Sequence, residues 1–301
     1  MNHWLKGAAF LSLASAIWGG MFIAVRLSVV VIPPVQLVWL RYVTAGITLF
    51  LLGRSMRVDW KIRRKDWKLV FLVGLIGQTI SIVTQETGTM LTSAQTGSII
   101  TASTPAFMVI FGRLLLKEQL TPGRVLSVVL ATVGVLFIVA DPDNFQITSI
   151  WGGVSLVAAA LTWALMSVIL KLLKAYSPVV LTFYGVLVAI VLLGPYSLWW
   201  LGQADWQAFA PPEIWGSVLY LGIVSTTGGF CLWNKGLLYM DASVGGLFLF
   251  FQPVVGTFLG WLLLAEPVTL YFWLGSGLVF VGVVLAMRSG HPAAEAAVEG
   301  K

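Results

Sequence analysis

The sequence predicts an all-α, polytopic membrane protein: ten transmembrane helices built as two inverted five-helix repeats. Three observations predict it. Of the 301 residues, 58% are hydrophobic and 10% charged, whereas a water-soluble domain carries about 25% charged residues to cover its surface. An internal repeat holds one register through two helices and a turn. At an offset of 148, Thr104-Pro105 matches Gln252-Pro253, Glu118 matches Glu266, Leu126 matches Leu274 and Gly134 matches Gly282. The basic residues, finally, gather in alternate connections between apolar runs.

A membrane helix needs about 20 mostly apolar residues. Taken in order, the spans that meet this are 7–30, 34–53, 67–88, 94–116, 121–140, 150–173, 178–201, 213–239, 242–264 and 270–287. Turn chemistry marks most boundaries: Pro33-Pro34, Thr121-Pro122, Asp141-Pro142, Ser177-Pro178 and Pro211-Pro212. The run from Gly7 is long, lacks a small-residue cleavage site and recurs in the second half, so it is expected to belong to the fold. The expected units are 1–145, the first repeat, and 146–290, the second; 291–301 is expected to be a disordered cytoplasmic tail.

Charge sets the orientation. With the N-terminus in the cytoplasm, the internal segments collect fifteen of the eighteen basic residues, seven of them between Arg54 and Lys68. The external loops hold Asp141, Asp143, Asp205, Glu213 and Glu266 with no Lys or Arg. That asymmetry follows the positive-inside rule and puts both termini in the cytoplasm of a cell (inner) membrane. The net charge of +6 is therefore a topology signal, not a nucleic-acid footprint.

The earlier helices repeat at a slightly different offset: Trp18 matches Trp163, Arg26 matches Lys171 and Pro33 matches Pro178, each 145 residues apart. Five spans per unit is an odd number, so the second unit enters the membrane from the opposite side. Secondary transporters are built this way and bind their substrates near the midplane, at the interface of the repeats.

The chemistry that is absent narrows the class. Cys231 is the single cysteine, and His3 and His291 lie outside the spans. No metal-ligand cluster, nucleophile–His pair or phosphate-binding loop occurs. No cofactor and no enzymatic activity are expected.

Polar groups at membrane depth are costly and need a partner or a water-filled cavity. Gln78, Ser81 and Gln85 fall at helical spacing in the third span, and their repeat counterparts in the eighth are Thr226, Gly229 and Trp233. Glu86 corresponds to Asn234 in the same register. The fourth span adds Ser98, Thr101 and Thr104, and the ninth adds Phe248 and Gln252. From these, Trp18, Gln78, Ser81, Gln85, Thr101, Thr104, Trp163, Thr226, Trp233, Asn234, Phe248 and Gln252 are the candidate substrate-binding residues, interhelical hydrogen bonding being the structural alternative. Arg41, the one charge deep in the second span, is expected to pair with Glu86, as a structural ion pair or as a gate. Pro105 and Pro253 are expected to kink their helices and make movement possible. Arg26 and Lys171 read as topological charges, and Glu118 and Glu266 as helix-end markers.

These features resemble the EamA-type members of the drug/metabolite transporter superfamily, bacterial metabolite exporters of ten helices in two repeats. The resemblance rests on Trp18-Gly19-Gly20 with Phe22, Pro34 followed by Arg41, and the stretch from Ala94 to Pro105. It continues through Leu116-Lys117-Glu118-Gln119-Leu120-Thr121 leading to Gly134. In the second half it is carried by Pro253-Val254-Val255 and by Leu264-Ala265-Glu266-Pro267-Val268-Thr269 leading to Gly282. The second half has no arginine matching Arg41. The resemblance implies export of a small metabolite, apolar or aromatic amino acids being favoured, by alternating access across the lipid bilayer. Protons are a candidate coupling ion, with Glu86 the main candidate carrier, and a monomer or homodimer is expected. The alternatives are export of a cationic drug or another metabolite by the same fold, or an uncoupled facilitator or channel.

Overall fold

The structure is a computed structural model that describes residues 3–92, 94–139, 149–204, 206–209, 211–264 and 270–289. Among the described residues there are ten helical spans and no strand. The first three are His3–Ser28, Pro34–Ser55 and Arg64–Leu91. The fourth is broken into Ala94–Thr101 and Thr104–Leu116, and the fifth is Pro122–Val139. The sixth to eighth are Ile150–Leu172, Pro178–Leu201 and Pro212–Gly236. The ninth runs from Ala242–Gly246 through a 3₁₀ turn, Leu247–Phe250, into Phe251–Leu264, and the tenth is Leu270–Ser289. Six of these spans are apolar and 22 to 28 residues long. At 1.5 Å per residue, 22 residues cover about 33 Å, enough for a hydrocarbon core of about 30 Å.

Local chemistry starts and stops the helices where the sequence suggests. Pro34, Pro178 and Pro212 occupy first-turn positions, where the missing N–H costs nothing. Ser149 caps the sixth span, its hydroxyl accepting from the Gly152 N–H at 3.3 Å. Lys117 ends the fourth span in the left-handed region, at φ 57°.

Two departures bear on function. Pro105 does not kink a continuous helix, whereas Pro253 follows a change of helix type in a span that stays helical from Ala242 to Leu264. Pro105 sits in the first turn of Thr104–Leu116, after the break at Ala102-Ser103, and Pro253 follows the 3₁₀ turn in the ninth span. A proline lacks the N–H that continues the helical hydrogen bonds, so the helix breaks ahead of Pro105 and tightens into a 3₁₀ turn ahead of Pro253. The third and eighth spans, in turn, are not α-helical throughout. Val73–Ser81 and Tyr220–Phe230 are π-helical, and the two stretches overlap when one is shifted by 148 residues. Such wide i→i+5 turns are rare and tend to mark functional sites.

The spans pack mainly across the two sets of five. The third and fourth lie on the sixth, the eighth and ninth on the first, the second on the seventh and eighth, and the third on the seventh. Exchanging the two sets maps this list onto itself. The fourth also meets the ninth, and the fifth packs along the tenth. The outer surface is apolar: Ile47, Leu114, Val191 and Phe280 are all at least 60% exposed. Trp151, Trp199 and Trp273 are exposed near span ends, as in the aromatic belts of membrane proteins. Residues 291–301, Glu266 and the connection from 140 to 148 lie outside the described residues.

The fifth and tenth spans touch backbone to backbone through repeat-related glycines. A Cβ on Gly134 would sit 2.6 Å from the Gly275 carbonyl oxygen, and one on Gly282 would sit 2.8 Å from that of Ser127. Neither obstacle is a flexible side chain. Gly134→Val is therefore expected to lower stability by about 1–3 kcal/mol, the cost of an overpacked interior, read as a lower melting temperature of the detergent-solubilised protein. The substitution Gly277→Val, at a position with open space around it, serves as the neutral comparison.

Candidate functional site

A cavity opens between the two sets of helices, with about 400 Å³ of space between atoms, open solvent at its mouth included. Its walls follow the repeat. Four repeat-related pairs contribute to it: Trp18 and Trp163, Thr104 and Gln252, Thr101 and Leu249, and Ile82 and Phe230. Met21, Ser81, Gln85, Ala159 and Ala160 complete the lining. No charged side chain is among them.

One wall is aromatic. The rings of Trp18 and Trp163 meet edge to face at 5.2 Å and 88°. Phe230 packs on both, at 5.6 and 5.1 Å, and Trp233 backs Trp18 at 5.4 Å. Glycine makes this arrangement possible: a Cβ on Gly229 would lie 2.5 Å from the Trp18 indole nitrogen. That nitrogen donates instead to the backbone carbonyl of Ser225 at 3.0 Å, inside the π-helical stretch.

The polar lining divides by what is already committed. Ser81 Oγ donates to the Ala159 carbonyl at 2.9 Å, Thr101 Oγ1 to Gly97 at 2.7 Å and Thr104 Oγ1 to Thr101 at 2.6 Å. Their protons are spent within the protein, and they present only lone pairs to the cavity. Gln85 and Gln252 have no side-chain hydrogen bond among the described residues, nor does the Trp163 indole N–H. These three side chains are the uncommitted donors of the site, and the two carboxamides bring acceptors as well.

Directly behind Met21 lies the buried charge. Arg41 Nη1 donates to Glu86 Oε1 at 2.7 Å, and the two side chains are 0% and 1% exposed. Nε and Nη2 donate to Thr226 Oγ1 at 3.1 and 2.9 Å, and Nη2 also reaches Ser225 Oγ at 3.3 Å. Nη2 lies 3.7 Å from the Met21 sulfur. One guanidinium thus ties together the first, second, third and eighth spans. Glu86 Oε2 is buried without a hydrogen-bond partner among the described residues. At the corresponding place in the second half, the link is neutral: Asn234 Nδ2 donates to Thr182 Oγ1 at 2.9 Å.

Of the residues singled out from the sequence, Trp18, Ser81, Gln85, Thr101, Thr104, Trp163 and Gln252 line the cavity. The expected Arg41–Glu86 pair is formed. Five residues lie elsewhere. Gln78 accepts from the Tyr42 hydroxyl at 3.0 Å, Thr226 accepts from Arg41, and Asn234 bonds Thr182. Trp233 Nε1 donates to Ser167 Oγ at 3.2 Å, and Phe248 is buried against Phe251. The π turn explains Gln78. It advances less per residue than an α-helix, so Gln78 and Ser81, three apart, no longer share a face. Arg26 and Lys171 are not free topological charges either. Arg26 Nη1 donates to the Met90 carbonyl at 3.1 Å, and Lys171 Nζ donates to those of Leu237 and Met240 at 2.7 and 2.6 Å. Each cation caps the C-terminal end of a neighbouring span. Sequence reasoning missed Met21, Ile82, Ala159, Ala160, Phe230 and Leu249. The repeat itself held the signal for three of them, since Ile82 and Phe230, and Thr101 and Leu249, share its 148-residue offset.

A family model described as "EamA-like transporter family" matches residues 5–140 and again 150–288. An uncharacterized transporter of Archaeoglobus fulgidus is 31% identical over 293 residues, covering 96% of this chain and 99% of that protein. A riboflavin transporter of Brucella anthropi is 27% identical over 192 residues, covering 62% of this chain and 64% of its own length. A crystal structure with 19% identity superposes with a TM-score of 0.76, covering 94% of this chain and 97% of that one; it shares the fold.

The buried pair makes a sharp energetic prediction. Arg41→Ala leaves Glu86 buried and unpaired, and is expected to cost about 3–5 kcal/mol, read as a fall in melting temperature. Replacing both, as Arg41→Met with Glu86→Leu, removes the unpaired charge and is expected to recover most of that loss. A double variant no more stable than the single one would show that the hydroxyl contacts of Arg41, not the ion pair, dominate.

Proposed function

The chain belongs to the EamA-like transporter family, and on that premise we propose that it is a secondary transporter that exports a small, net-neutral metabolite from the cell. It is a multi-pass membrane protein; we place both termini in the cytoplasm, following the positive-inside asymmetry. The observation that carries the reading of the substrate is the uncharged cavity between the halves, with an aromatic wall and three uncommitted polar side chains. An apolar or aromatic amino acid suits it. The carboxylate would take N–H donors from Gln85, Gln252 and Trp163, and the ammonium would take carboxamide oxygens and hydroxyl lone pairs. The side chain would stack on Trp18, Trp163 and Phe230. A cationic drug would find no carboxylate in the wall to offset its charge, which counts against that alternative.

The same neutrality supports a second reading, a planar uncharged heterocycle of the kind that the Brucella anthropi relative is named for. In either case the cycle is alternating access. The helix break ahead of Pro105 and the 3₁₀ turn ahead of Pro253 are the flexible points, and the Arg41–Glu86 pair is the candidate gate or coupling site. Glu86 is the carboxylate through which a proton would act.

Uptake and counterflow of labelled amino acids and riboflavin in proteoliposomes, with and without a pH gradient, test the proposal. Saturable flux of a neutral solute is expected. Gln85→Ala and Gln252→Ala should each raise KM about two- to tenfold, the worth of one net hydrogen bond, with melting temperature unchanged. Flux of organic cations alone would overturn the assignment, and flux indifferent to the gradient would remove proton coupling.

A further inference from the structure

The connection between the eighth and ninth spans, residues 237–243, is held by three charged side chains from three other places in the chain. Glu118, in the turn after the fourth span, accepts from the Ala242 N–H through Oε1 at 2.8 Å. Its Oε2 accepts from the Ser243 N–H at 3.1 Å and from Ser243 Oγ at 2.5 Å. Arg124, at the start of the fifth span, donates to Asp241 Oδ2 through Nη2. Its Nη1 reaches Ser243 Oγ at 3.4 Å and the Gln119 carbonyl at 2.8 Å. Lys171 holds the Leu237 and Met240 carbonyls from the sixth span.

Glu118 is the centre of this cluster. A carboxylate on the first amides of a helix is stabilised by charge-assisted hydrogen bonds and by the helix dipole. The helix it caps belongs to the other half of the chain. The two joined elements, the fourth and ninth spans, are also those that supply Thr101, Thr104, Leu249 and Gln252 to the cavity. Between latch and cavity they touch closely: a Cβ on Gly246 would meet the Met108 sulfur at 2.8 Å, and Met108 is 0% exposed. While Glu118 stays seated, the two helices are closed on each other at that end. Unlike Arg41 and Glu86, Glu118 is only partly buried, so water can take over its hydrogen bonds and its release is inexpensive.

We propose that Glu118 is the cytoplasmic latch of the transport cycle: seated on Ala242 and Ser243 it closes the cavity to the cytoplasm, and its release lets the fourth and ninth spans part. Arg124 is the positioning residue, holding Asp241 and Ser243 where Glu118 meets them. The sidedness rests on the topology proposed above.

The test is accessibility, which needs no knowledge of the substrate. In the full-length protein carrying Cys231→Ser and a reporter Ala160→Cys in the cavity wall, labelling by a membrane-impermeant maleimide is timed from each face in sided proteoliposomes. Glu118→Gln is expected to speed cytoplasmic-face labelling about tenfold, as the loss of one charge-assisted hydrogen bond implies, and to slow labelling from the other face. Ser243→Ala should move both rates in the same direction by less. Unchanged rates at both faces overturn the latch. A structural defect is excluded by a reversible version: Glu118→Cys with Ser243→Cys, joined through two disulfides by a short bis-methanethiosulfonate, with the reporter-only protein treated in parallel to correct for capping of the reporter thiol. The cross-link should abolish cytoplasmic-face labelling until it is reduced, and labelling that persists through it overturns the proposal. Absence of flux in the parent protein with this labelling pattern intact would defeat the transporter reading and leave the latch standing.

Discussion

One guanidinium, buried where no water can reach it, holds the outer contacts of four helices. Arg41 spends its donors on Glu86, Thr226 and Ser225, so its side chain is satisfied in a medium that gives no credit for an unmade bond. The charge cannot be moved without finding a substitute for each partner. It therefore fixes how the second span meets the third, and how both meet the eighth. Met21, in contact with the guanidinium on one side and lining the cavity on the other, is the layer through which that arrangement reaches the cavity.

The same scarcity of water shapes everything else polar within the spans. Hydroxyls at Thr44, Thr48, Thr89, Thr101 and Ser127 donate back to the carbonyl four residues earlier. That is how a threonine or serine is tolerated in a helix that faces lipid or protein. A polar side chain that does not do this stands out. Gln85 and Gln252 stand out at the cavity: among the described residues they have no side-chain hydrogen bond, which supports the proposed binding surface over interhelical glue.

Much of this was legible in the sequence for physical reasons. Span existence follows from apolar length alone, because the bilayer sets the length, and the repeat follows from register. The pairing of Arg41 with Glu86 could be read because two isolated charges in apolar spans at similar depth have few other choices. Side-chain direction in the third span was not legible. Sequence spacing implies 3.6 residues per turn, and the π stretch from Val73 to Ser81 departs from it at Gln78. The fourth span looked continuous because apolar length does not register a two-residue break ahead of Pro105. From the sequence alone, Arg26 and Lys171 are single topological charges near span ends. Their roles appear only once the neighbouring span's carbonyl end is placed beside each of them.

The two halves share their register but not their charge, and the difference has a consequence. In an inverted repeat, the conformation open to one side is the pseudo-symmetric image of the conformation open to the other. If the halves were identical, the two would be equal in free energy. Trp18 with Trp163, and the matched π stretches, keep that balance. The ion pair of the first half, answered in the second by Asn234 and Thr182, does not. An interaction present on one side only changes the two conformations by different amounts, and a difference of about 1.4 kcal/mol already shifts their ratio tenfold. On the proposed alternating-access cycle, the direction in which the empty protein rests would be set by residues in which the halves have diverged, Arg41 among them.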